Sequence, residues 1–156
     1  MTRKISIIFA ILLITACNQQ REQTKEVLSP KKLKANESLV VNFTSEGCFH
    51  NQSNLFVFQD NNVTIYDTSS KKKRLGTVIL TSTDKEGLKD LFSYYNSDLK
   101  GDCTTQETIE IKQYKAEKLI SSKKIIDGTC GRHQRGVYMS FYELLERVKE
   151  KSVGEE

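Results

Sequence analysis

Leu55-Phe56-Val57-Phe58-Gln59-Asp60-Asn61-Asn62-Val63-Thr64-Ile65-Tyr66 decides the fold. Two apolar runs of strand length flank Asp60-Asn61-Asn62, and Asp and Asn tolerate positive φ at low cost, so the stretch reads as a β-hairpin. A two-residue Asp60-Asn61 loop sets Phe58 opposite Val63 and Phe56 opposite Ile65, on one face. Upstream, Leu39, Val41 and Phe43 alternate with Val40, Asn42 and Thr44, the period of a half-buried strand. Downstream, Leu75–Thr81 (LGTVILT) predicts a fourth strand.

The period then changes. Thr83-Asp84-Lys85-Glu86 fits a capping box, with Thr83 as N-cap and Glu86 reaching back. Leu88, Leu91, Phe92, Tyr95 and Leu99 follow at helical spacing, and Gly101 is the expected stop. Residues 104–114 and 118–127 read as two further strands around a turn at Lys115-Ala116-Glu117-Lys118. Ser140-Phe141-Tyr142-Glu143 is a second capping box, and Phe141, Leu144, Leu145 and Val148 form the buried stripe of a last helix. The order is ββββ-α-ββ-α. Consecutive strands on short connections predict an antiparallel sheet with the two helices packed on one face, an α+β domain spanning 37–152 with a 153–156 tail.

The hairpin selects a disulfide. If 104–114 and 118–127 pair about that turn, partners sum to about 233, which sets Cys103 opposite Cys130 and Glu110 opposite Lys123. Cys48 is left over. The competing reading is a metal site, because Cys48 and His50, and Cys130 and His133, each bring a thiol near an imidazole. Cys48 and His50 have one intervening residue where zinc knuckles use two to four, and the disulfide is the better reading. No motif for nucleophilic, phosphate-binding or metalloprotease chemistry occurs, so no catalytic residues, cofactor or metal are assigned.

Charge narrows the partners. The chain of 156 residues carries 24 Lys/Arg and 20 Asp/Glu, net +4. Residues 37–156 hold 17 basic and 18 acidic side chains, net −1, so the basic balance comes from the N-terminal part. A nucleic-acid partner is not expected, since that needs a basic stripe on the folded part. The run Lys71-Lys72-Lys73-Arg74 lacks interleaved aromatics and reads as a solvated loop. Four N-x-[ST] sequons read as strand and turn composition. Tyr94, Tyr138 and Tyr142 are candidates for a binding face or a core edge.

The N-terminus supplies the location. Arg3 and Lys4 precede the apolar run Ile5–Ile14 (ISIIFAILLI), about 15 Å of helix, half of what a bilayer core needs, so the segment reads as a secretory signal over 1–16. Ile14-Thr15-Ala16-Cys17 resembles the lipobox of bacterial lipoproteins. That resemblance covers 1–17 and implies cleavage after Ala16 and diacylglycerol on the Cys17 thiol. Two or three acyl chains on one residue make release negligible. Residues 17–36 then read as lipid anchor and flexible tether, with basic residues that attract anionic head groups weakly. Asn18, rather than Asp, points by family analogy to the outer membrane. Ser45-Glu46-Gly47-Cys48-Phe49-His50, Gly101-Asp102-Cys103-Thr104-Thr105 and Phe141-Tyr142-Glu143-Leu144-Leu145 resemble small lipoproteins of Bacteroidota, a likeness that implies no activity. The expectation is a membrane-anchored envelope protein with a non-catalytic domain that holds an envelope protein or polymer. Its rivals are an inhibitor or immunity-type lipoprotein blocking a hydrolase, metal capture by Cys48, His50 and His133, and a thiol or hydrolytic enzyme.

Overall fold

The computed structural model describes residues 29–132, 136 and 138–153, of which 151–153 are described by their backbone. Cys17, the lipobox and His133 lie outside the described residues. Six strands and two helices follow in the expected order: β1 (Glu37–Gly47), β2 (His50–Gln59), β3 (Asn62–Asp67), β4 (Lys73–Ile79), α1 (Ser82–Tyr94), β5 (Gln106–Lys115), β6 (Lys118–Asp127) and α2 (Phe141–Val153). All strand pairs are antiparallel, in the order β4-β3-β2-β1-β5-β6. β1 therefore pairs with β2 along one side and, across the intervening helix, with β5 along the other.

Register turns the alternation into rows. Val78, Val63, Phe58 and Leu39 are cross-strand partners, as are Ile65, Phe56, Val41 and Ile111, and then Phe43, Ile109 and Ile125. All of these side chains are buried. The next row toward the end of β1 is polar: Gln52, Ser45, Glu107 and Asp127. The core is thus three apolar rows deep and closes on a polar edge. The helices join it through aromatic contacts. The Phe92 ring meets Phe58 edge-on, and Phe141 lies 5.2 Å from Phe43 and 5.0 Å from Phe56, centroid to centroid. Offset and edge-on geometries are those that aromatic quadrupoles favour.

Four local expectations shift. α1 is capped by Thr81, not Thr83. The Thr81 hydroxyl accepts from the Asp84 N–H at 3.1 Å and the Asp84 carboxylate accepts from the Thr81 N–H at 2.9 Å, so Asp84 completes the box while Glu86 pairs with Lys31. α1 ends at Tyr94, before Leu99 and Gly101. The Lys123 ammonium donates to the Tyr95 carbonyl at 2.8 Å, a cation at the helix C-terminus that only the folded sheet can supply. Leu99 instead bridges to Asp127 beside the edge strand β6. Gly101 has a packing role there: a Cβ on it would sit 2.3 Å from the Gly128 carbonyl oxygen. The fourth shift is at the N-terminal boundary. Ser29 caps a 3₁₀ turn at Pro30–Lys32, Pro30 is buried, and Lys31 reaches Glu86 on α1. Residues 29–33, inside the expected tether, thus pack on the domain.

The second capping box is as expected. Ser140 accepts from the Glu143 N–H at 3.1 Å, and Glu143 accepts from the Ser140 N–H at 2.6 Å. The β2–β3 hairpin also keeps the expected register, with Asp60 at φ 52°.

Candidate functional site

Two ends of the sheet differ in character. At one end the chain joins the domain, beside the β2–β3 and β5–β6 turns. The other end carries the β1–β2 turn, the disulfide and the N-terminus of α2. β1 separates them by roughly 33 Å, from ten steps of about 3.3 Å.

The disulfide is the expected one, Cys103–Cys130, with Cα atoms 5.5 Å apart. The register that predicted it holds only near the turn. Lys115–Lys118 and Tyr114–Leu119 sum to 233, then a bulge shifts the ladder by one, so Glu110 faces Lys124 and not Lys123. Lys123 is drawn to the end of α1, and Glu110 pairs with Lys112 at 2.8 Å, which raises the Lys112 pKa. The bridge survives the shift because both cysteines lie beyond the ladder, where the 99–103 segment turns back on Gly128. There the Cys103 N–H donates to the Gly128 carbonyl at 3.1 Å.

A cleft of about 470 Å³ opens beside this bridge, lined by Ser45, His50, Thr105, Glu107, Cys130, Gly131, Ser140 and Tyr142. Its floor is the polar row. Ser45 and Glu107 are cross-strand partners and both are buried. The Tyr142 hydroxyl donates to Glu107 Oε1 at 2.8 Å and lies 3.4 Å from Ser45 Oγ, while Ser45 Oγ lies 2.9 Å from His50 Nε2. α2 delivers Tyr142 because Ser140 starts the helix against the sheet, with the ring edge-on to Phe43. The His50 ring lies over Gly47: a Cβ there would meet ring Cε1 at 2.9 Å and Thr105 Oγ1 at 2.8 Å. Cys130 and Gly131 turn the chain at φ 60° and 64°, with Gly131 against the Glu107 carboxylate.

These groups form a fixed hydrogen-bonded wall. Ser45 is buried, with its Oγ set between His50 Nε2 and the Tyr142 hydroxyl. Cys48 and Phe49 form the β1–β2 turn beside the cleft. Cys48 is exposed and free, and Phe49 is fully exposed, at 101%. Tyr138 and Tyr142 are exposed as well, at 60% and 37%, and Tyr94 is exposed at the last residue of α1.

For metal chemistry the geometry is discouraging. Cys103 and Cys130 are oxidised to one another, Cys48 sits in the turn rather than on the strand with His50, and His50 Nε2 is engaged by Ser45. Among the described residues no group of three or more His, Cys, Asp or Glu could hold a metal ion. The cleft network had no sequence signature. Its members are single residues 62 to 97 positions apart from Ser45, apart from the nearby His50, and the pairing of β1 with β5 and the docking of α2 assemble them.

No protein-family model matches the chain, and no curated protein matches it. Among solved structures it is similar to cowpox virus CPXV018 (OMCP) at 9% identity, over 60% of this chain and 67% of that one, with a TM-score of 0.33. A likeness at that level carries no argument. Among the described residues no helix is long and apolar enough to cross a membrane.

Proposed function

We propose that this is a lipid-anchored protein of the bacterial cell envelope, attached through Cys17, most consistent with the outer membrane, that holds an envelope protein or polymer without catalysing a reaction. The observation that carries the binding role is Phe49. A phenylalanine left wholly in water at a hairpin tip forgoes its burial energy, roughly 2–3 kcal/mol, which a partner's pocket would recover. The tip lies at the end of the sheet away from the point where the chain joins the domain, so a lipid at Cys17 leaves it free to meet a partner. The buried Ser45 and the Tyr142–Glu107 contact support a rigid wall beside the tip rather than a reacting group.

The test has two parts. Mass spectrometry of native material is expected to find Cys17 as the acylated N-terminus, and an unmodified thiol or an intact leader refutes the anchor. A photo-crosslinker beside Phe49 should then capture one envelope component in living cells. Phe49→Ser should abolish the product without lowering the melting temperature. Capture that persists in Phe49→Ser refutes the binding surface.

An exposed hairpin tip with a single aromatic also suits an inhibitor or immunity-type lipoprotein that inserts into a hydrolase cleft. In that case the captured component is a hydrolase, the protein lowers its activity, and Phe49→Ser restores it.

A further inference from the structure

The edge strand β6 is guarded along one half only. Toward the disulfide end, Leu99 bridges Asp127, its N–H donates to the Ile126 carbonyl at 2.9 Å, and the Asp98 carboxylate takes the Ile126 N–H at 2.9 Å. The other half, Lys118–Ser122, has no such cover among the described residues. There Leu119 and Ile120 are 47% and 48% exposed, at the start of β6, just past the Ala116-Glu117 turn that Lys115 and Lys118 flank. The bulge leaves Ile120 without an opposite residue: Gln113 faces Ser121 and Tyr114 faces Leu119. Ala116 and Glu117 in the turn both hold positive φ, at 45° and 68°.

This turn touches the incoming chain. The Ala116 N–H donates to the Asn36 carbonyl at 2.9 Å, and the exposed Lys34 is two residues further upstream. Only eleven residues, 18–28, separate Cys17 from Ser29, a reach of at most about 40 Å. The paired aliphatics, the flanking lysines and the short leash coincide at one end of the molecule.

We infer that Lys115, Lys118, Leu119 and Ile120 form a docking surface for an anionic lipid bilayer, which seats the domain on the membrane that the anchor reaches. The inference rests on the anchoring proposed above. Exposed aliphatics on the strand next to a turn flanked by lysines match the interface, where aliphatics enter the head-group boundary while ammonium groups meet phosphate. The domain net charge of −1 makes this a local effect. Each lysine near an anionic surface favours it by roughly five-fold, so the two together give roughly thirty-fold, falling with salt.

The test uses the full acylated protein reconstituted in phosphatidylcholine vesicles, with and without phosphatidylglycerol. Hydrogen exchange is read at amides 114–121, with 46–52 as the internal reference. Exchange at 114–121 is expected to slow by roughly tenfold or more in the anionic vesicles, with no change at 46–52. Lys115→Gln/Lys118→Gln should remove the dependence on anionic lipid, and Leu119→Ser/Ile120→Ser should reduce protection in both vesicles. Neutralising the opposite-end run Lys71–Arg74 should change nothing, and an equal effect there would reduce the observation to unspecific charge and overturn the proposal. Unchanged exchange with Cys17 acylated overturns this proposal alone. An unacylated Cys17 overturns the anchor and the docking with it. Protection that persists in detergent and rises with protein concentration assigns the strand edge to a second copy and overturns the bilayer.

Discussion

Removing the Cys103–Cys130 bridge tests how the ends of the β5–β6 hairpin are held together. The bridge closes a loop of 27 residues that includes all of β5 and β6. In the chain-entropy account, cross-linking over 27 residues lowers denatured-state entropy by about 12 cal/mol/K, or about 3.5 kcal/mol at 25 °C. The native contacts that bring the cysteines together remain in its absence, namely Cys103 N–H to Gly128 O and Gly128 N–H to Leu99 O. The loss should therefore fall on the unfolded side. Cys103→Ser/Cys130→Ser, compared within a Cys48→Ser background to prevent thiol exchange, should lose about 3–4 kcal/mol in urea unfolding. For a folded part of this size the melting temperature should drop by about 12–15 °C. The m-value should rise, because the unbridged denatured chain exposes more surface. A loss under about 1 kcal/mol with an unchanged m-value would refute the reasoning, since the denatured loop would then already be closed by other contacts.

Four further outcomes follow from single contacts. Gly101→Ala pushes a Cβ into the Gly128 carbonyl and should cost about 1–3 kcal/mol in chemical denaturation, with the loss of protection concentrated at 99–103 and 127–129. Replacing Ala116-Glu117 by Asn-Gly suits their positive φ and should stabilise by about 1 kcal/mol; a loss of stability would mean that the turn is not of the left-handed kind. Phe141→Ala empties the site where the Phe43, Phe56 and Phe92 rings converge and should cost about 3–5 kcal/mol by calorimetry. The Lys31 ammonium, hydrogen-bonded to Glu86, holds that carboxyl below the usual glutamate range. A lowered folded-state value adds stability above the unfolded value, about 4.3, and that stability is lost as pH falls through the folded value. Acidification across that window should free the Ser29–Leu33 turn, seen as faster exchange at Leu33, and Glu86→Gln should do the same at neutral pH.

Much of this molecule is written locally. The alternation of Leu39, Val41 and Phe43, the Asp60-Asn61 turn and the Ser140–Glu143 box each concern residues within a few positions, and each appears where the spacing puts it. The cysteine pairing was legible because a hairpin brings its two open ends together, although the register beyond the bulge is one residue off the expected one. Where a distant group competes, local reading misleads. Glu86 is taken by Lys31, while Thr81 caps α1 with Asp84. Lys123 caps α1 from the sheet, so the helix stops short of Gly101. The bulge at Tyr114 moves every partner beyond it by one residue without altering the hydrophobic period.

By itself, then, the sequence determined the kinds of element, their order and the bridge, because hydrogen bonding and burial within hairpins and helices depend on neighbours along the chain. Tertiary structure alone decided that β1 lies between β2 and β5. That pairing joins residues about 60 to 80 positions apart, and no short-range pattern encodes it. It sets Ser45 beside Glu107, where Tyr142 of α2 meets both, while the β1–β2 turn supplies His50 to Ser45 and leaves Phe49 bare.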